Sequence, residues 1–261
     1  TPALVLLALG ASLRVVDREQ HMMALDFGTA FSKASVILDR DGGEVRLLPL
    51  GRIAARASFQ AQDNPYVLAS TVFVQDGQFL FGPRAYAESL LAPAGRARFE
   101  SPKTLFNSDD VERLSMAPVP EELVPGAIRF RQIEMVLLYL SYLTATAGEA
   151  LEAAGLPRHI LRRYAVPGWT PERSVSYAQG MRVLLASAQV LADTFRGRWQ
   201  QGIPVLEARA ALDALTEIEV ELPLGLVAEG LDEATAAGIS IFNPRWRAPK
   251  IFVVVDVGAG T

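Results

Sequence analysis

Two loops in the sequence carry residue types that can bind phosphate and a divalent cation. Residues 25–33 read LDFGTAFSK and residues 253–261 read VVVDVGAGT, so each has an apolar run that ends in aspartate and is followed by glycine and threonine. Backbone N–H groups of such turns can bind phosphate oxygens. A carboxylate repels phosphate but suits Mg²⁺ or its water shell. Together the loops predict a site for a phosphorylated ligand and magnesium, although the first loop on its own also fits an ordinary hairpin turn.

Other kinds of chemical site are excluded or weakly indicated. The chain has no GxxxxGK[ST] segment and is therefore not a P-loop protein. It has no cysteine, which excludes disulfides and cysteine metal ligands. The two histidines, His21 and His159, are not spaced for a metal, and His159 is predicted to be solvated because it lies among arginines after a helical segment. Lys33, which closes the first loop, could supply positive charge to the same phosphates.

Length and charge narrow the class of protein. A chain of 261 residues allows one large domain or two smaller ones. The net charge of -4 gives no electrostatic case for binding nucleic acid or an anionic membrane. The apolar start, residues 1–13, is shorter than the roughly 20 residues of a membrane span and lacks the basic region of a signal peptide. A cytoplasmic setting is the default expectation.

The elements that must position these loops follow an α/β order. Three apolar or alternating segments separated by turns predict an antiparallel meander at 21–29, 32–38 and 44–50. Later segments predict a mixed sheet with helices on its faces. They are a long helix at 129–155, a strand at 162–169, helices from Thr170 to about Arg196 and at 204–216, a helix start at 232–242, and a last strand at 250–258.

Residues 51–128 differ in composition and read as a subdomain inserted after the meander. They are rich in proline, glycine and arginine, with a hairpin predicted around Asp76-Gly77 and a short helix at 83–91 that has proline at its first position. Residues 1–21 are predicted to be an N-terminal extension. An extra edge strand is the alternative for that segment.

The two loops resemble the phosphate loops of the actin, sugar kinase and Hsp70 ATPase superfamily. Their order and their spacing of more than 200 residues are similar to the Hsp70 type. Intermediate segments are similar too, and the resemblance covers roughly residues 22–261. They are STVFVQDGQFLFGPRAYA (70–87), YAVPGWTPER (164–173), DEATAAG (232–238) and FESPKTLF (99–106), which falls where Hsp70 proteins carry a catalytic lysine.

This resemblance implies a fold. It is an α/β, ribonuclease H-like mixed sheet, made of an antiparallel meander plus parallel strands, flanked by helices and carrying an inserted α+β subdomain. Residues 22–50 and 129–249 would form the core of the first ATPase lobe, with 51–128 as the insert. Residues 250–261 would begin the second lobe, so we expect the 1–261 chain alone to bind ATP weakly or not at all and not to turn it over.

The resemblance also implies an activity: Mg-ATP is bound between two lobes and hydrolysed to drive a chaperone-type conformational cycle. Lys103 would reach the γ-phosphate and Glu233 would order water near the metal. Asp26 and Asp256 would hold Mg²⁺, mainly through water, and would be catalytic residues together with Lys103 and Glu233. The remaining contacts to ATP or ADP would come from Gly28, Thr29, Ala30, Lys33, Gly258, Ala259, Gly260 and Thr261. Unfolded polypeptide or a co-chaperone would bind through regions outside this chain.

Several positions depart from the Hsp70 pattern and leave alternatives open. Ala30 stands where the Hsp70 pattern has a threonine, and Ala259 where it has a glycine. Lys33 is similar in its spacing to a lysine that follows the first loop of actin. The region before Asp232 is about 40 residues longer than in the Hsp70 type and has a helical composition. An actin-like filament protein and a non-catalytic nucleotide switch are therefore alternatives. On residue type alone, Lys103 also fits a surface cation and Glu233 an acid in the first turn of a helix.

Overall fold

The computed structural model describes residues 3–11, 21–38, 44–55, 64–107, 110–166, 171–218 and 221–232. In chain order the strands are β1 Met22–Asp26, β2 Phe31–Ile37, β3 Val45–Leu47, β4 Leu68–Ala69, β5 Thr71–Gln75, β6 Gln78–Phe81, β7 Phe99–Glu100, β8 Leu161–Val166, β9 Ile203–Pro204 and β10 Leu231–Asp232. The helices are α1 Leu50–Ala54, α2 Gly82–Leu90, α3 Val111–Met116, α4 Gln132–Ala153, α5 Pro171–Thr194 and α6 Val205–Leu215, with 3₁₀ helices at Pro102–Asn107 and Leu224–Leu226. The predicted turn at 39–43, the strand at 250–258 and most of the segment 232–242 lie outside the described residues.

The main sheet has the strand order β10-β8-β1-β2-β3, and β4 pairs with β2 beside this path. Strands β1, β2 and β3 are antiparallel neighbours, whereas β8 runs parallel to β1 and β10 runs parallel to β8. The predicted α/β class with a mixed sheet flanked by helices is confirmed.

Helices α4 and α5 pack against each other and enclose the core with the sheet. Alternation sets the buried face of β1, where Met23 and Leu25 point inward. The sequence predicts one apolar face on α4, but the helix is buried on several sides, including Tyr139 and Tyr142. A helix that is apolar nearly all round is stable only when other elements cover it, and here the sheet and α5 do so.

A second sheet has the order β7-β5-β6-β9. Its hairpin turns at Asp76 and Gly77, whose φ angles of 49° and 73° fit the type I′ turn that joins antiparallel strands. The predicted hairpin is confirmed. The fourth strand, β9, comes from the chain between α5 and α6, far outside the region 51–128. The domain boundaries given above stay predictions.

Two details of the N-terminal half differ from the sequence expectations. The third strand is only Val45–Leu47, and Leu50 already begins α1. Pro49, which has no N–H for a strand ladder, separates the two elements. Residues 3–11 form no strand, so the edge-strand alternative is wrong for this part; the amide of Ala8 donates to Thr194 Oγ1 (2.9 Å) at the end of α5.

In the part of the chain that the structure describes, no helix has the length and apolar character needed to cross a membrane.

Candidate phosphate and metal site

Asp26 and the strand end that precedes Glu233 in the sequence lie at one edge of the main sheet. Strands β1, β8 and β10 are parallel neighbours, so their carboxyl ends lie at the same edge. Asp26 is the last residue of β1, and Asp232, directly before Glu233, is the last residue of β10. Ligands of open α/β sheets bind outside the carboxyl ends of strands. This edge is therefore the candidate site; Glu233 itself lies outside the described residues.

The loop between β1 and β2 is tight and requires glycine at its centre. A Cβ added to Gly28 would lie 1.9 Å from the backbone oxygen of Phe31. That atom belongs to the first residue of β2 and cannot swing away as a side chain could. Glycine is therefore needed at residue 28 because the backbone folds back on itself, and the same closeness keeps Thr29 and Ala30 at the tip of the hairpin.

Asp26 and Lys33 lie opposite each other at the base of this loop. They are Cα partners in the β1–β2 register, and both side chains are exposed on the same face. Among the ion pairs of the described residues, none joins these two side chains. An exposed carboxylate is a hard oxygen ligand of the kind Mg²⁺ takes through water, and a neighbouring ammonium suits a phosphate. The donor types at this position fit a Mg-phosphate ligand.

Lys103 is buried, with 7% of its surface exposed, so the surface-cation interpretation is wrong. It lies in the 3₁₀ helix Pro102–Asn107, which follows Ser101 with a φ of 54°. The ring of Phe106 from the same helix meets the ring of Phe27 edge to face, with centroids 6.3 Å apart. Since Phe27 stands between Asp26 and Gly28, this contact brings the Lys103 segment beside the first loop.

Three buried hydroxyl groups, those of Ser32, Ser70 and Tyr139, contact one another next to the loop. None of them was among the site residues predicted from the sequence. Ser70 Oγ lies 3.1 Å from Ser32 Oγ, and the hydroxyl of Tyr139 donates to Ser32 (3.0 Å) and lies 3.2 Å from Ser70 Oγ. Burial raises the pKa of Tyr139 to about 12, so it stays protonated and keeps its donor role at physiological pH. The sequence did contain one signal: Ser32 occupies a position that the alternation of β2 predicts to be buried. A buried hydroxyl group needs a hydrogen-bond partner, so this serine indicates a polar contact.

The remaining predicted site residues are not tested by the structure. The second loop, with Asp256, Gly258, Ala259, Gly260 and Thr261, lies outside the described residues, as Glu233 does. Within the described ranges, no three or more His, Asp or Glu side chains converge in a way that could hold a metal ion. Asp26 is thus the one predicted magnesium ligand whose position is described.

A second buried polar cluster lies away from this edge, where α5 ends and β8 begins. The carboxylate of Asp193 accepts hydrogen bonds from Arg158 Nε (3.1 Å), His159 Nε2 (2.8 Å) and Gln189 Nε2 (2.8 Å). The prediction that His159 is solvated is wrong, because Asp193 binds its ring and only 12% of the side chain is exposed. Arg162 is buried in the same region, and its Nε and Nη1 have no hydrogen-bond acceptor among the described residues.

A scan against protein-family models finds no match for this chain, and a search of curated proteins finds no similar sequence.

Proposed function

We propose that the chain forms the first lobe of an Hsp70-like ATPase that binds and hydrolyses Mg-ATP. The order β10-β8-β1-β2-β3 is antiparallel among β1, β2 and β3 and parallel from β1 through β8 to β10. This arrangement supports a ribonuclease H-like sheet of the kind that this superfamily uses. The two loops, the Lys103 segment and Glu233 have the family's order along the chain.

One observation carries the proposal further than the sequence does. A buried lysine segment packs, through Phe106 and Phe27, against a loop that only glycine can close. This contact holds Lys103 beside the first loop at the carboxyl edge of the sheet. An ammonium at that place suits an anionic ligand such as the terminal phosphate of ATP.

The proposed mechanism assigns roles by charge. Lys103 stabilises the negative charge that develops as the γ-phosphoryl group leaves, and the loop amides at 28–31 bind phosphate oxygens. Asp26 would hold magnesium through water, and Glu233 would order water near it. Magnesium, when bound, neutralises phosphate charge. Hydrolysis then changes the contacts that hold two lobes together, which is how ATP would control a chaperone-type cycle.

Replacing Lys103 by alanine in the full-length natural protein is expected to slow single-turnover ATP hydrolysis by about 100-fold, because a preorganised charge on the transition state is lost. Arg113→Ala is the matched control: it removes a cation from α3 whose side chain is 74% exposed. Its turnover should equal that of the wild type.

Three outcomes decide between the candidates. Unchanged hydrolysis in Lys103→Ala would remove Lys103 from the mechanism. Wild-type protein that neither binds nor hydrolyses Mg-ATP would overturn the ATPase proposal itself. ATP-dependent sedimentation of the wild type at micromolar concentration would favour the actin-like alternative, for which the exposed Lys33 opposite Asp26 is the supporting observation.

A further inference from the structure

Ser70, which the sequence analysis did not single out, binds the first loop at two points. Its hydroxyl donates to the carbonyl oxygen of Gly28 (2.9 Å), and its backbone N–H donates to the carbonyl oxygen of Ala30 (2.9 Å). These two carbonyls lie on either side of the Thr29–Ala30 peptide. One residue therefore fixes two peptide units of the loop backbone, 28–29 and 30–31.

The orientation of the carbonyls determines the orientation of the loop amides. The described chain contains no cis peptide bond, and in a trans peptide the C=O and N–H groups point in opposite directions. The N–H of Thr29 shares a peptide unit with the Gly28 carbonyl, and the N–H of Phe31 shares one with the Ala30 carbonyl. Both N–H groups consequently point away from Ser70. Backbone N–H groups of neighbouring peptide units in turns can form concavities that bind anions.

Two further hydroxyl groups hold Ser70 in place. Ser32 and Tyr139 contact its Oγ at 3.1 and 3.2 Å, and all three residues are at most 1% exposed. The three hydroxyl protons are accounted for when Tyr139 donates to Ser32, Ser32 donates to Ser70, and Ser70 donates to the Gly28 carbonyl oxygen. Because Tyr139 belongs to α4 and Ser32 to β2, the loop is tied through Ser70 to both a helix and the central sheet.

We propose that Ser70 is a positioning residue that holds the amides of Thr29 and Phe31 toward the phosphate groups of the nucleotide. The proposal rests on the ATPase function proposed above. It adds that Ser70 orients the loop amides before the nucleotide binds. A loop whose amides are already oriented binds phosphate without first being ordered, and this preorganisation raises affinity.

The test compares Ser70→Ala with Ser141→Ala in the full-length natural protein. Ser141 is an equally buried serine whose hydroxyl bonds within α4, to the carbonyl of Leu137 at 2.7 Å, and does not touch the loop. Ser70→Ala is expected to weaken Mg-ATP binding about tenfold, so that KM rises while kcat changes less than twofold. This pattern is expected because the loop amides would bind the phosphates equally well in the ground state and the transition state. Ser141→Ala should change neither constant.

Hydrogen exchange supplies a readout that needs no nucleotide. In Ser70→Ala the peptide spanning 27–33 should exchange faster than in Ser141→Ala at equal overall stability. Tyr139→Phe removes only the supporting hydroxyl and should increase exchange of the 27–33 peptide by a smaller amount. This variant replaces Ser70→Ala in the test if Ser70→Ala does not fold.

The outcomes separate the two proposals. If Ser70→Ala binds Mg-ATP as the wild type does, or is weakened no more than Ser141→Ala, the positioning role is wrong. If the wild type binds no nucleotide, the ATPase proposal fails, and so does the assignment of the amides to a nucleotide. Faster exchange at 27–33 would then show only that Ser70 orders the loop.

Discussion

Asp193→Ala is expected to lower the free energy of unfolding by about 3–5 kcal/mol, the usual cost of removing one partner of a buried ion pair. The carboxylate accepts from Arg158, His159 and Gln189 at once, and only 12% of the side chain is exposed. Without it, the Arg158 guanidinium keeps its bond to Glu152 but loses the partner of Nε. Equilibrium urea unfolding of the chain measures the change.

Two control variants test whether the loss of stability comes from the buried hydrogen bonds of Asp193 or from the loss of any charged side chain. Asp213→Ala removes an exposed carboxylate that pairs with Arg209 and should cost about 0–1 kcal/mol. Arg162→Met should leave stability unchanged or raise it, because two of its buried nitrogens have no acceptor among the described residues. A loss below about 1 kcal/mol for Asp193→Ala would contradict the role given to this cluster.

The same cluster predicts a dependence on pH. Burial acts to raise the pKa of Asp193, but hydrogen bonds from His159 and Gln189 and the charges of His159 and Arg158 outweigh it and hold the pKa below its ordinary value. A carboxyl whose folded pKa is depressed contributes stability that is fully present above its unfolded pKa and is lost as pH falls through the folded pKa. The difference in stability between wild type and Asp193→Asn should therefore shrink below about pH 4.

Gly28→Ala is expected to damage the candidate site and the fold together. Its Cβ would overlap the Phe31 backbone oxygen at 1.9 Å, so the hairpin must open. We expect a loss of about 1–3 kcal/mol in stability, as for other forced overpacking. A displacement of about 1 Å at a site can reduce turnover about 100-fold, and we expect a loss in kcat/KM of that order.

Gly180→Ala is the matched control for this substitution. Gly180 lies in α5 and has no atom within 4 Å of an added Cβ, so alanine there should stabilise the helix by about 0.5–1 kcal/mol. Thermal unfolding and ATP turnover of the full-length natural protein measure both variants. A Gly28→Ala protein with wild-type turnover would show that the loop geometry is not needed for nucleotide.

Local chemistry made some elements predictable from the sequence. Asp76-Gly77 favours a turn with positive φ, and Pro171 fits the first position of a helix, so the hairpin and the start of α5 follow from neighbouring residues alone. The alternation in β1 and β2 also fixed which side chains are buried. The first loop was found because its aspartate, glycine and threonine follow a strand, which is again a local pattern.

The features that the sequence did not reveal depend on contacts between distant residues. Ser70 meets Tyr139 across 69 positions of sequence, and the His159 ring meets Asp193 of α5 across 34 positions. Propensity and periodicity contain no information on such pairs, since serine and aspartate are mostly exposed in proteins and tyrosine and histidine have no strong preference. The prediction of one strand at 44–50 is wrong for a local reason, because Pro49 has no N–H to continue a strand ladder and α1 begins directly after it.

The pairing of β9 with β6 has a consequence for how the chain is made. Phe79 meets Ile203, so the strand that completes the second sheet is synthesised more than 120 residues after its neighbour. Until residue 203 leaves the ribosome, the N–H and C=O groups along that edge of β6 lack the partners that β9 supplies. Unpaired strand edges on nascent chains are sites of aggregation and of chaperone capture. The interval between the synthesis of β6 and that of β9, which includes translation of α5, is therefore one in which this edge of β6 is open to such contacts.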